Sequence, residues 1–343
     1  MSPVPPLAQR PSPEEAQRAP PGSSPLPEGW TARAATADDL DRVHALVAED
    51  HLDQFGEVDY SRDDLVEEWS ELDPARDAWL VFDPAGTLVG YAKLNPRKPH
   101  WFECTSTVHP AHRHQGVEAW LVDRIGQHAR ELLPRSPPGE RVLLAHIFNG
   151  RNEQEARLLE SRGYVFVRRF FRMRVEWKAP PPTREPPPGV VVRVFQPDRD
   201  AAALHALHEL SFADHWRHTP EPYEQWSAEL RSERFDATLW FVAEAEGELV
   251  GFARAREFSE GEGWVRVLGV HPRWRRRGLA QSLLLRAFGE LHRRGRHKVL
   301  LGVDSDGRSG ALQLYERVGM RPVRLIDVYE KDLGLPSPSQ GQT

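Results

Sequence analysis

The sequence predicts a mixed α/β protein in which one domain plan is used twice. Three observations carry that expectation. A proline run, Pro180 to Pro188 (PPPTREPPP), falls near the middle of the non-tail sequence. So dense a run cannot continue a helix or a central strand and favours an extended spacer. Residue matches recur in one order on its two sides. Trp79-Leu80-Val81-Phe82 answers Trp240-Phe241-Val242-Ala243, and Gly86 and Gly90 answer Gly247 and Gly251, at an offset of 161. His109-Pro110 and Gly116 answer His271-Pro272 and Gly278 at 162, whereas Leu158 and Gly163 answer Leu314 and Gly319 at 156. The drop matches a longer first-half loop around Pro134 to Glu140. Short β-branched runs, finally, alternate with helical apolar stripes.

The second half gives the clearest order of elements. Val190 to Phe195 is short and β-branched, a strand. Asp198 to Phe212 carries Leu204, Leu207 and Leu210 at helical spacing. Leu239 to Ala245, a turn at Gly247 and Leu249 to Arg256 form a hairpin. Trp264 to Val270 is a strand ending at His271-Pro272. From Gly278, residues Leu279, Leu283, Leu284, Ala287, Phe288 and Leu291 make one helical stripe. Val299 to Val303 is an apolar strand, Ala311 to Val318 a helix stopped by Gly319, and Pro322 to Tyr329 a closing strand.

Composition sets the class. The 343 residues carry a net charge of −6, with 39% hydrophobic and 28% charged residues. That balance disfavours a basic nucleic-acid binder and a wholly disordered chain. A single cysteine, Cys104, excludes an intramolecular disulfide framework and multi-thiolate metal sites. No apolar stretch approaches the ~20 residues of a membrane span, and the start MSPVPPLAQR does not read as a secretory signal, so a cytoplasmic protein is expected. The expected organisation is a Pro-rich disordered tail at 1–29, a first domain at 30–177, a linker at 178–189, a second domain at 190–333 and a tail at 334–343.

The chemistry concentrates in Val270-His271-Pro272-Arg273-Trp274-Arg275-Arg276-Arg277-Gly278-Leu279-Ala280. A strand ends, a basic turn follows, and a helix begins at a glycine. Helix N-termini present unpaired N–H groups and the positive end of the macrodipole. Small residues at 278 and 280 let an anion approach the backbone, so the segment suits a diphosphate. An Arg-rich turn is also compatible with a solvated surface or a nucleic-acid contact.

Arg275-x-x-Gly278-x-Ala280, after Leu268-Gly269-Val270, resembles the acyl-CoA signature of the GNAT N-acyltransferase superfamily. Val303-Asp304-Ser305-Asp306-Gly307, then Gly310 to Met320 with Leu314-Tyr315-Glu316, resembles that family's second block. The resemblance covers about 190–333 well and 30–177 more weakly, as in tandem GNAT proteins that include mycothiol synthase-like actinobacterial proteins. It implies two tandem GNAT-like domains, each a central, mostly antiparallel twisted sheet with flanking helices. It further implies that Arg276, Arg277, Gly278, Leu279 and Ala280 hold the diphosphate of acetyl-CoA through backbone N–H groups, with Arg275 adding charge. Leu268, Gly269 and Val270 would pair with the pantetheine arm, and Tyr315 would be the general acid for the departing thiolate. Glu257, Glu260 and Glu262 lie before or at the start of the strand where family members often place a base; each also reads as a solvated loop acid, and position favours Glu262 among them. Gly307 departs from the family, where Asn is common.

The first half, by contrast, is expected to be degenerate. Its loop runs His109 to Glu118, with Glu118 in the place of Ala280, and Leu159 stands where Tyr315 does. A carboxylate repels a diphosphate and leucine donates no proton. His205, His208, His215 and His218 with Asp214 are more simply an acceptor-side surface than a metal site, and Cys104 reads as a buried inert thiol. The reading is an acyl-CoA-dependent N-acyltransferase acting on a small-molecule or peptide amine, without metal, nucleic acid or membrane, its oligomeric state open. The alternative is a non-catalytic acyl-CoA-binding sensor or interaction protein.

Overall fold

The computed structural model describes residues 24–58, 60–232, 234–258, 261–307 and 310–335. Most of the expected tails at 1–29 and 334–343, and Glu260, lie outside the described residues.

The chain forms two compact units. The first combines the chain up to Arg168 with the segment from Ile326 onward, and the second is Arg169–Leu325. The first repeat contributes β1 (Thr31–Ala34), α1 (Leu40–Phe55), α2 (Arg62–Ser70), β2 (Ala78–Phe82), β3 (Leu88–Asn95), β4 (Trp101–Val108), α3 (Val117–Leu132), β5 (Val142–Asn149), α4 (Glu153–Ser161) and β6 (Val165–Glu176). The second contributes β7 (Val191–Val194), α5 (Pro197–Phe212), β8 (Trp240–Ala245), β9 (Glu248–Glu257), β10 (Glu262–Val270), α6 (Leu279–Arg293), β11 (Lys298–Asp304), α7 (Ala311–Arg317) and β12 (Arg321–Gly334). The first-unit sheet has the order β1-β2-β3-β4-β5-β12 and the second β6-β11-β10-β9-β8-β7. In each the described neighbours pair antiparallel except for one parallel pair, β4 with β5 and β10 with β11. The predicted mixed, mostly antiparallel sheets with flanking helices are therefore present.

Local chemistry explains the elements that frame the site. The stripe on α6 is buried throughout, from Leu279 to Leu291. It packs so closely on β9 that a Cβ at Gly251 would lie 2.9 Å from a Leu283 methyl. The β8–β9 turn places Glu246 and Gly247 at φ 54° and 83°, the pair of positive values that a tight hairpin requires.

Sequence order and spatial units part company at the closing strands. β6, which ends the first repeat, pairs with β11 from Lys298↔Glu176 to Asp304↔Phe170. β12, which ends the second, pairs with β5 from Ile326↔Asn149 to Gly334↔Val142. Met173 and Val175 of β6 are thereby buried in the second-unit core, and Tyr329 of β12 in the first-unit core. The division at 30–177 and 190–333 follows the repeat, whereas the units follow backbone pairing and burial, which set a strand's partner irrespective of chain order.

Candidate active site

The two parallel strands of the second unit open into a wedge. Their register runs only from Glu262↔Lys298 to Trp264↔Leu300, although β10 continues to Val270 and β11 to Asp304. A bulge between Val265 and Val267 leaves Arg266 without a counterpart on β9. Such an extra residue bends its strand and breaks the ladder locally. Past the bulge lies Gly269, where a Cβ would sit 2.4 Å from the Phe252 ring. Only glycine lets the strand pass there.

The wedge's β10 edge feeds the basic turn. His271 Nδ1 accepts from the Arg273 N–H at 3.2 Å, closing a short 3₁₀ turn over Pro272–Trp274. Arg276 and Gly278 then take φ 62° and 87°, and α6 starts at Gly278 with no side-chain cap. Its first N–H groups have no intrahelical acceptor. Arg275 donates to the Val270 carbonyl at 3.2 Å and the Ser211 carbonyl at 3.0 Å, and Arg277 lies 5.0 Å over the Trp274 ring. Among the described residues no carboxylate pairs with Arg273, Arg275, Arg276 or Arg277. Cations at the positive end of a helix dipole are electrostatically unfavourable, and an anion in this cradle would relieve that conflict. The residues present therefore fit a diphosphate.

Tyr315 lies on α7. Its ring is buried in the second-unit core, and among the described residues its hydroxyl has no hydrogen-bond partner. Burial pushes the phenol up to about 12, so it stays protonated through the neutral range. The helix end after it closes by Val318 N–H and Met320 N–H donating to the Tyr315 carbonyl. Leu159 accepts the equivalent bonds from Arg162 and Tyr164 in the first repeat. The two positions are structural counterparts, and Leu159 is fully buried.

The first repeat keeps the cradle's backbone and fills it. His109 Nδ1 again accepts from a backbone N–H two residues on, at 3.2 Å, and His114 and Gly116 take φ 67° and 93°. Here the His114 N–H donates to Glu118 Oε1 at 2.8 Å. The chain's own carboxylate thus occupies a donor that an anion would use. Arg113 is neutralised by Asp50 at 2.7 Å and Asp53 at 2.6 Å. β4 runs in unbroken register with β3 from Gly90↔Val108 to Asn95↔Glu103. Beside it His146, fully buried, sits 3.3 Å from Ser106 Oγ, 3.2 Å from Glu155 Oε1 and 3.6 Å from Cys104 Sγ. Burial raises the Cys104 thiol well above its ordinary range. The sequence points to Glu118 and Leu159 but not to this His146 cluster, whose members are scattered from Cys104 to Glu155 with no motif.

On the other side of the second-unit sheet, α5 and the segments after it gather polar groups. His218 Nε2 lies 3.1 Å from Glu209 Oε2, and His205 Nε2 lies 2.7 Å from the Glu221 carbonyl. Glu209 Oε1 also lies 3.7 Å from His208 Nδ1, so this carboxylate stands between two of the four histidines, whereas His205 is engaged elsewhere. Arg254 is buried over Trp240, at 4.2 Å from its ring centre, and pairs with Glu229. Among the described residues, His208 Nδ1, Glu209 Oε1, Ser211 Oγ, Trp226 Nε1 and Arg254 Nε are buried and find no hydrogen-bond partner. Burial, with Arg254 second, pulls His208 down to about 4.

Of the carboxylates read as bases, Glu257 is committed to Arg294 and Arg296. Glu262 sits opposite Lys298 at the closed end of the wedge. Eight residues of strand, about 25 Å, separate it from Val270 at the mouth. The structure brings Leu268 to Val270 and the loop to Ala280 together and leaves Glu262 apart.

A split mixed sheet whose open edge runs into an uncapped, cationic helix start is the frame of an acyl-CoA-dependent acyltransferase, and the comparisons agree. The Acetyltransferase (GNAT) family model matches twice, at residues 40–164 and 201–320, and the chain belongs to that family. A mycothiol acetyltransferase of Thermobispora bispora is 33% identical over 252 residues, 72% of this chain and 81% of that protein. One of Streptomyces bingchenggensis is 32% identical over 321 residues, 88% of this chain and 96% of that protein. The crystal structure of a GCN5-related N-acetyltransferase from Sphaerobacter thermophilus superposes with a TM-score of 0.82 at 31% identity, covering 91% of this chain and 98% of that one. A tandem GNAT protein from the clavulanic acid biosynthesis pathway shares the fold, with a TM-score of 0.68 at 17% identity, covering 91% and 100%. The protein is an acyl-CoA-dependent N-acetyltransferase built from tandem GNAT regions.

Proposed function

We propose that the second repeat carries the catalysis, moving an acetyl group from acetyl-CoA to a primary amine of a small molecule. The observation that carries this reading is one backbone cradle in two states: open and cationic at 276–280, closed by Glu118 in the first repeat. Backbone N–H groups of Arg276 to Ala280 hold the diphosphate, and Leu268 to Val270, freed from β11, offer main-chain groups to the pantetheine arm. Near Val270 an N–H polarises the thioester carbonyl. The neutral amine nitrogen attacks that carbon, the C–S bond breaks, the sulfur receives a proton from Tyr315, and the proton lost by the amine restores the Tyr315 phenol by way of solvent. No covalent acyl-enzyme is required, so the site works by positioning and charge stabilisation. Glu262, read from sequence as the base, has no direct part in this reading.

The relatives' name, mycothiol acetyltransferase, suggests a small-molecule amine of the mycothiol class as acceptor. The unpartnered buried polar atoms of α5, Trp226 and Arg254 are the groups that would meet such an acceptor. No described helix is long and apolar enough to cross a membrane, which is compatible with a cytoplasmic substrate. Thiol release from acetyl-CoA with a panel of amines tests the proposal. Turnover that depends on the amine supports it, and CoA binding without turnover for any amine would favour the sensor.

A further inference from the structure

We propose that Arg184, from the proline-rich segment between the repeats, is a further cationic ligand for the acyl donor's phosphates, held over the cradle by a strap. This rests on the reading of 270–280 as the acyl-CoA site.

The placement is specific. A Cβ built on Gly278 would lie 2.7 Å from one Arg184 guanidinium nitrogen and 3.1 Å from another. Two hydrogen bonds fasten the segment to the first turn of α6. Arg184 Nη1 donates to Gln281 Oε1 at 3.0 Å, and Ser282 Oγ donates to the Arg184 carbonyl at 2.9 Å. Prolines on both sides, Pro180 to Pro182 and Pro186 to Pro188, restrict the backbone that presents the side chain. The arrangement has a parallel in the first repeat, where the Ser24 N–H, ahead of β1, donates to Asp123 of α3 at 3.0 Å. A contact from the segment ahead of the first strand to the long helix thus recurs in both repeats.

Charge supplies the reason for a ligand. Arg184 joins Arg273, Arg275, Arg276 and Arg277 around one helix start, and among the described residues no carboxylate pairs with any of the five. Gln281 aims the guanidinium without neutralising it. Five cations at the positive end of a dipole repel one another, and a polyphosphorylated ligand is the chemistry that turns this repulsion into binding. Coenzyme A offers a diphosphate and a 3′-phosphate, and either could meet Arg184.

Calorimetric titration of the full chain with CoA and with dephospho-CoA, at two salt concentrations, tests this. Arg184→Ala should weaken CoA about tenfold and flatten the salt dependence, and Arg184→Lys should recover part of the loss. A strap that served folding alone would not produce the salt effect or the lysine rescue. Equal losses for both ligands put Arg184 on the diphosphate, and a loss confined to CoA puts it on the 3′-phosphate. Wild-type binding with Arg184→Ala within twofold of it overturns the proposal while leaving the loop reading intact. Absence of CoA binding by wild type would overturn both.

Discussion

Transplanting the first repeat's carboxylate into the second should close the cradle. In Ala280→Glu the new side chain stands where Glu118 stands, and its counterpart bond is the 2.8 Å contact from the His114 N–H to Glu118 Oε1. The Arg276 N–H would be captured in the same way, because Arg276 and His114 share their backbone conformation, φ 62° and 67°. Two losses follow for a diphosphate. One hydrogen bond to a charged group disappears, worth about 1.5–3 kcal/mol. A carboxylate is placed near the ligand's charge, worth about 1 kcal/mol per charge pair at 4 Å in water and more as solvent is excluded. Together these amount to about 3 kcal/mol, or roughly a hundredfold in Kd for CoA. The same carboxylate lies in the first turn of α6 among arginines that no described carboxylate pairs with, so the fold should gain about 0.5 kcal/mol rather than lose. The assay is a CoA titration paired with thermal unfolding. A folded Ala280→Glu protein that binds CoA within threefold of wild type would refute the reasoning.

Other expectations concern proton transfer and pH. Tyr315→Phe should lower kcat by about 10²–10³-fold with CoA affinity retained, whereas Glu262→Gln, at the closed end of the wedge, should stay within about threefold; a hundredfold loss in Glu262→Gln would restore it as the base. His208 protonates near 4 in the fold and near 6.5 unfolded. Between those values the unfolded chain binds a proton that the folded chain does not, so stability should fall as pH drops from 6.5 toward 4 and be insensitive to this group above 6.5. Discounted for partial exposure the effect is about 2 kcal/mol, and denaturant titrations across that range should lose the slope in His208→Gln. A slope unchanged by that substitution would rule His208 out as its origin.

Much of this architecture is written locally. The α6 stripe, the hairpin at Gly247 and the glycine that opens the helix each depend on residues within a few positions, and each is found where the sequence places it. The strand exchange is not local. β6 and β12 both end their repeats and both can pair on either side, so their choice is settled by burial of Met173, Val175 and Tyr329 in cores assembled from distant sequence. Glu118 is legible as a misplaced charge, yet its bond to the His114 N–H requires the backbone of the turn. Glu262 illustrates the converse. Its place at the start of a strand, where GNAT members often carry a base, is what favours it in the sequence; eight residues of extended strand set it about 25 Å from Val270, and the Glu262→Gln measurement decides its part. Arg184 was hidden by its composition, since a proline run reads as a spacer whatever else it holds.

The number of CoA molecules bound by the full-length chain is the most direct measure of the central claim. With one cradle open and its repeat closed by Glu118, calorimetry should find one site per chain, abolished or strongly weakened by Ala280→Glu. Two equivalent sites, or a single site that Ala280→Glu leaves untouched, would contradict the assignment of the cofactor to the second repeat.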